Sequence, residues 1–289
     1  MNIKQNRVRV LREPVIGRVM NMRLTAFFKL IKFEIEKYKF NYVKTIIANF
    51  SLFPFRQAIH FPLVIYNSIE LKIRRSKIIL ETPARFGVIT IGRNIDYFIS
   101  SKNPSLLFML NASFTVGGNI KISSGVTFRI DGGDLYIGKN CAIGANCKIL
   151  CNNNISIGEH SIFAYGHILC DTDYHFIEYE GKIKNCNGSI RIGKYVWAGN
   201  NSSIAKGSIL PDYSVISNKT YVNKDFSNFN DGILVAGTPG KVIKVGLKRV
   251  LSLELEVKLK EYFKSDKSDV EYNMTREELE IHDNSFKKS

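Results

Sequence analysis

"IGKNCAIGANCKILCNNNI", residues 137–155, sets Ile137, Ile143, Ile149 and Ile155 six residues apart. An α-helix repeats its apolar positions every three or four residues and a half-buried strand every second one, so a strict period of six describes neither as a long element. Short strands joined by tight turns do satisfy it. The phase slips by two and resumes with Ile157, Phe163 and Leu169, then again with Ile192, Ala198, Ile204, Leu210 and Ile216. The residue after each repeat position is usually small, as at Gly138, Gly144, Gly158, Ala164, Gly193, Gly199 and Ala205. Glycine and asparagine supply the tight or left-handed backbone that corners require.

Each six-residue unit therefore reads as one flat side of a coil, its first residue pointing inward and successive coils stacked about 4.8 Å apart. The spacing predicts a mainly β solenoid. Weaker copies, "ITIGRN" from Ile89 and "IKISSGVTF" from Ile120, place its start near residue 88. An ordinary β-sandwich would need its strand spacings to coincide with six by accident.

The most regular stretches, "IRIGKYVWAGNNSSIAKGSILPDYSVIS" from Ile190 and "VAGTPGKVIK" from Val235, resemble the hexapeptide-repeat acyltransferases, specifically their sugar and polysaccharide O-acetyltransferase branch. The resemblance covers approximately residues 85–245. It implies a left-handed parallel β-helix, a homotrimer and acetyl-CoA as co-substrate. Periodicity alone supplies none of these, and the usual preference for right-handed crossovers argues against the handedness.

The resemblance divides the 289 residues into a basic helical and lead-in segment (1–84), the repeat domain (85–245) and a C-terminal helix with its tail (246–289). Net charge is +15, and residues 1–80 hold sixteen Lys and Arg against four Glu, or +12 (16 − 4). Residues 22–49 carry apolar side chains at helical intervals with Lys and Arg between them. Such a segment caps the open end of a coil, which would otherwise invite edge pairing. It also suits peripheral attachment to anionic lipid. Residues 53–80 look like a loop leading into irregular strands, residues 245–263 like a helix, and the charged last twenty or so like a frayed tail. No apolar run reaches about 18 residues, so no transmembrane helix is expected. The start lacks a secretory apolar core, and five cysteines without C-x-x-C pairs fit a reducing cytoplasm. No zinc-finger or RNA-binding signature points to nucleic acid.

"LCDTDYHFIEYEGKIKNCNG", residues 169–188, breaks the repeat with acids, aromatics and one histidine. A solenoid accepts an insertion only at a corner, so His175 is expected on a projecting loop or beside its base. Acyl transfer from a thioester to a hydroxyl needs a base that removes the hydroxyl proton, and a neutral imidazole suits that task near neutral pH. The resemblance implies that His175 is this base. Asp171 and Asp173 either fix its tautomer or bind substrate hydroxyls, or else they merely solvate the loop. D-x-D-x-H without a supporting His or Cys cluster is a weak metal set, and no metal is expected. His160 and His167 are expected to be structural. Trp197 offers an aromatic face to a sugar ring or an acyl-pantetheine arm, or else seals a subunit interface. The resemblance implies that the Gly199 amide lies near the thioester carbonyl and that Lys224 and Lys241 meet the CoA phosphates. It also exposes a departure, "VISNKTYV" with Asn218, Lys219 and Thr220 where relatives carry small residues, which would narrow the cofactor channel. Ala198 in place of a bulkier residue points to repacking.

The expected activity is acetyl-CoA-dependent O-acetylation of a sugar hydroxyl on a surface or capsular polysaccharide, in the cytoplasm or at the inner face of the membrane. N-acetylation of an amino sugar needs the same base, donor and fold. A non-catalytic trimeric scaffold is the remaining alternative. A zinc hydrase on such a coil needs three histidines with a close H-x-x-x-x-H pair, which is absent.

Overall fold

The computed structural model describes residues 39–93, 103–230, 232–264 and 271–287. Three parallel sheets form the walls of a prism. Each coil passes from the first wall to the second and then the third, beginning with β1 (Leu63–Ile65), β2 (Ile69–Arg74) and β3 (Lys77–Leu80). The first wall stacks Ile65, Ile91, Ile122, Ile143, Phe163, Ala198, Ile216 and Val235 in one inward column. The second stacks Leu71, Leu107, Phe128, Ile149, Leu169, Ile204 and Val222. The third stacks Leu80, Val116, Ile137, Ile157, Ile192 and Leu210. Ile137, Ile143 and Ile149 thus line one interior, each almost fully buried. Every such side chain contributes about 1.5–3 kcal/mol by leaving water.

The corners differ in tolerance. From the first wall to the second the chain takes six residues, as from Ile143 to Ile149 and from Phe163 to Leu169. From the second to the third it takes nine between Phe128 and Ile137, eight between Ile149 and Ile157, and twenty-three between Leu169 and Ile192. The two-residue slip in the repeat is the Asn152–Asn153 step at this corner, and residues 171–189 are the largest excursion from it. At the opposite passage, from third wall to first, successive backbones nearly touch. A Cβ on Gly158 would lie 2.5 Å from the carbonyl carbon of Gly193, so only glycine lets these coils stack there.

The coil begins earlier than the repeat suggested. β1, β2 and β3 pair in register with the strands of the next coil, so winding starts at Leu63 rather than near residue 88, ahead of the boundary drawn at 85. Preceding it, α1 (Tyr42–Leu52) lies across the coil's open end. Asn49 donates to the Leu63 carbonyl at 2.6 Å and accepts from the Leu63 amide at 3.1 Å, while Thr45 Oγ1 accepts from the Ile65 amide. These side chains satisfy the edge that a missing coil would have paired, which is the capping expected of the segment. Residues 22–38 of that helical reading lie outside the described residues.

At the other end β23 (Ile233–Ala236) turns back antiparallel into β24 (Lys241–Val245). Two helices follow, α3 (Leu253–Tyr262) and α4 (Arg276–Lys287). The tail expected to fray is therefore helical. Its Phe286 ring stands edge-on, 5.1 Å away, to both Tyr195 and Tyr213, which stack on each other and on His160 along one corner. Aromatic contact explains why a charged sequence stays docked. Among the described residues no helix is long and apolar enough to cross a membrane.

Candidate active site

Residues 171–189 leave the prism after β14 (Ile168–Cys170) and return at β17 (Ile190–Ile192), at the corner between the second and third walls. The loop contains a small antiparallel hairpin of its own, β15 (Glu178–Tyr179) with β16 (Lys182–Ile183). Its base is tied by a Thr172–Asn187 bridge and by the Asp173 amide donating to the Cys186 carbonyl at 2.8 Å. Tyr174 takes a left-handed turn, φ 61°, with its amide bonded to Thr172 Oγ1. The Arg129 guanidinium lies over the Tyr174 ring at 5.0 Å. That turn delivers His175, solvent-exposed, into a cleft of about 440 Å³ lined also by Asp173, Tyr179, Lys182, Lys184 and Lys206.

The two aspartates do different things. Asp171 is fully buried, and its carboxylate accepts from the Asn152 amide at 2.8 Å and the Asn153 amide at 2.9 Å. It holds the corner from which the loop springs, and neither of its oxygens bonds the imidazole. Asp173 pairs with Lys206 Nζ at 2.5 Å. Neither carboxylate hydrogen-bonds the His175 ring. Removing the Asp171 acceptor strips two amides of a charged partner, each such bond being worth about 1.5–3 kcal/mol. Asp171→Ala should therefore lose roughly 2–4 kcal/mol of stability in chemical denaturation, whereas Asp173→Ala, at an exposed pair, should stay within about 1 kcal/mol. Equal losses in the two variants would refute this division of labour.

His167 is buried, with Nε2 3.2 Å from the Ala198 carbonyl, and burial pushes its pKa down to about 4. It is neutral at working pH and structural. Its ring stands edge-on to Phe163 at 5.6 Å. Ala198, directly above Phe163 in the inward column, leaves room for both rings, which accounts for the small residue at that position. Burial likewise pushes the Cys141 thiol up to about 12 and that of Cys147 to about 11, so neither is a nucleophile at neutral pH.

The residues expected to bind cofactor, Lys224 apart, lie elsewhere. Trp197, 43% exposed, sits on the outer face of the first wall between Ile162 and Val215. The Gly199 amide is already spent on the Ile216 carbonyl at 2.8 Å, so it does not serve as a free oxyanion donor. Glycine is needed there for another reason. A Cβ would lie 2.4 Å from Asn218 Oδ1, which accepts from the Asn200 amide at 2.9 Å. Asn218 and Lys219 are an exposed turn whose side chain caps the coil below. Lys241 opens β24 on the first wall, and Lys224 lies at the loop's corner, its carbonyl accepting from Ile209. One wall and the corner opposite it thus share the candidates: His175, Asp173 and Lys206 on one side, Trp197, Gly199 and Asn218 on the other.

No family model matches the chain. It is 29% identical over 161 residues to a galactoside O-acetyltransferase of Escherichia coli (strain K12), spanning 53% of this chain and 76% of that relative. It is 34% identical over 116 residues to a polysialic acid O-acetyltransferase of Escherichia coli O1:K1 / APEC, spanning 39% of this chain and 37% of the relative. Both matches accompany a three-walled coil with six-residue sides. In sequence and in coil the chain resembles the hexapeptide-repeat acetyltransferases. Among solved structures, the polySia-specific acetyltransferase NeuO aligns over 72% of this chain and 95% of its own, at 22% identity and a TM-score of 0.49.

For an acyltransferase the site needs a proton acceptor in reach of an open cleft, and His175 meets that requirement. It also needs an apolar surface for an acyl-pantetheine arm. The outward row Ala142, Ile162, Trp197, Val215 and Leu234 on the first wall is such a surface. Lys182, Lys184 and Lys206, which sequence reasoning did not single out, line the cleft together with Asp173 and Glu180, three cations against two acids.

Proposed function

We propose that this acyltransferase moves an acetyl group from acetyl-CoA to a sugar hydroxyl of a surface or capsular polysaccharide. The observation that carries the proposal is His175 held on a corner loop in an open cleft, in a chain whose relatives are O-acetyltransferases. His175 accepts the hydroxyl proton as the oxygen bonds to the acyl carbon. The carbon–sulfur bond breaks, and the proton passes on to the departing CoA sulfur. Acetyl-CoA supplies an already activated acyl group, so no covalent enzyme intermediate is required. Lys182 and Lys184, with Lys206 already paired to Asp173, favour an acidic acceptor. Trp197 and its apolar row would hold the pantetheine arm, with Lys241 toward the phosphates.

A single chain keeps these two halves apart. In a three-walled prism the corner between walls two and three is opposite wall one, so the His175 loop and the Trp197 face of one chain point away from each other. We infer that a homotrimer joins them, the loop of one chain against the first wall of the next. The exposed Phe176, Ile177, Tyr179 and Ile183 of the loop, from 66 to 70% accessible, are apolar groups suited to that contact. An acyl-CoA donor places the reaction in the cytoplasm, at the inner face of the membrane where a growing surface glycan is available.

The test is incubation of the purified protein with acetyl-CoA and a panel of neutral and acidic glycans, read by mass. A gain of one acetyl group at a hydroxyl, with acidic glycans preferred, is expected. Acetylation confined to amino groups would overturn O-transfer, and free thiol released without acetylated glycan would overturn a sugar acceptor.

A further inference from the structure

A helix that closes a solenoid normally turns its apolar face inward and a polar face to water. α1 instead leaves most of its apolar side chains outside. Its inner face meets the coil through the polar side chains of Thr45 and Asn49, beside Ala48 and Leu52. Its outer face carries Tyr42, Val43, Ile46, Ile47 and Phe50, each 47 to 60% exposed. The stripe continues into α2 (Phe55–Ala58) and just past it, where Phe55 is 71% and Ile59 47% exposed. Phe50 holds the patch together through ring contacts with Phe55 at 6.0 Å and Phe61 at 6.2 Å. Nothing among the described residues packs over it. Contiguous apolar surface of this kind marks an interaction site.

Charge identifies the occupant. Between residues 39 and 60 the charged side chains are Lys39, Lys44 and Arg56, with no acid. Residues 1–38 add nine Lys and Arg against three Glu, a further +6 (9 − 3). A second copy of the chain would bring the same cations face to face, and the N-terminal segment would add more of the same sign. An anionic bilayer offers what both lack, negative charge around an apolar interior. We propose that α1 and α2 seat the end of the prism on an anionic lipid surface, with Tyr42, Val43, Ile46, Ile47, Phe50 and Phe55 entering the headgroup boundary and Lys39, Lys44 and Arg56 meeting lipid phosphates. The His175 loop leaves the fifth coil, four strand spacings from the first, so the cleft stands about 20 Å beyond the first coil, with α1 between that coil and the lipid. This attachment is independent of the acyl-transfer chemistry.

The experiment is co-sedimentation of the full chain with vesicles of phosphatidylcholine alone or containing a third phosphatidylglycerol, alongside turnover on a soluble glycan. The expected result is binding to the anionic vesicles only, weakened at least tenfold in Ile46→Ser/Phe50→Ser and in Lys44→Glu/Arg56→Glu, with turnover unchanged in both. The charge-reversal pair, at the half-buried Lys44 and the exposed Arg56, guards against misfolding of the first. Equal binding to neutral vesicles, no binding, or undiminished binding in both variants would each overturn the proposal. So would a wild-type mass twice that of the Ile46→Ser/Phe50→Ser variant, which would give the face to a second copy.

Discussion

His175→Ala should lower kcat for acetyl transfer by about 10²- to 10⁴-fold, the usual contribution of a positioned base. Affinity for CoA should change little, because the candidate donor surface lies on another wall. His160 is stacked into an aromatic column and His167 is buried with its pKa pushed down to about 4, so neither can substitute. Nearby Lys206 is held by Asp173. His175→Gln, which keeps a hydrogen-bonding amide but cannot take a proton, should be nearly as inactive as alanine. Initial rates at saturating acetyl-CoA and equilibrium CoA binding together decide the matter. Turnover within about fivefold of wild type in both variants would remove the imidazole from the mechanism, and loss of CoA binding would make its role structural.

How far the chain could be read in advance varied along its length. The six-residue period was plain from Ile137 onward because two of the three corners there take the minimum of residues, and the third varies by inserting whole turns. The first coil was hidden. In β2 the inward Leu71 and Ile73 alternate with Lys72 and Arg74, as in any half-buried strand, and nine residues separate Leu71 from Leu80. For the site, residue type was a poor guide where register decides. Asp171 and Asp173 are the same side chain two positions apart, yet one lies inside the corner against two amides and the other at the cleft. At Gly199 the sequence shows only a small residue after a repeat position; the close neighbour there is Asn218, whose Oδ1 would lie 2.4 Å from a Cβ. Lys206 was legible and missed: it follows Ile204 by two, which places it at the same corner as the loop one coil later.

Co-expressing His175→Ala and Trp197→Glu chains should restore activity that neither possesses alone. If each site takes its imidazole from one chain and its Trp197 face from the next, a site is whole when the first chain is the Trp197 variant and the second the His175 variant. Random assembly at equal amounts makes about one site in four whole, so about a quarter of wild-type turnover is expected from cyclic three-fold assembly. Were both groups drawn from the same chain, every site would carry one defect and activity would stay at the level of the single variants. Both side chains point outward, so neither substitution disturbs the inward columns that hold the prism together. Purifying mixed assemblies through two different tags, weighing them, and assaying them separates the outcomes. Trimeric mass with recovered turnover supports a site built between chains. Trimeric mass without recovery refutes it, and a monomeric mass for the wild type would refute it before any assay, since the prism itself holds the imidazole and the tryptophan on opposite sides.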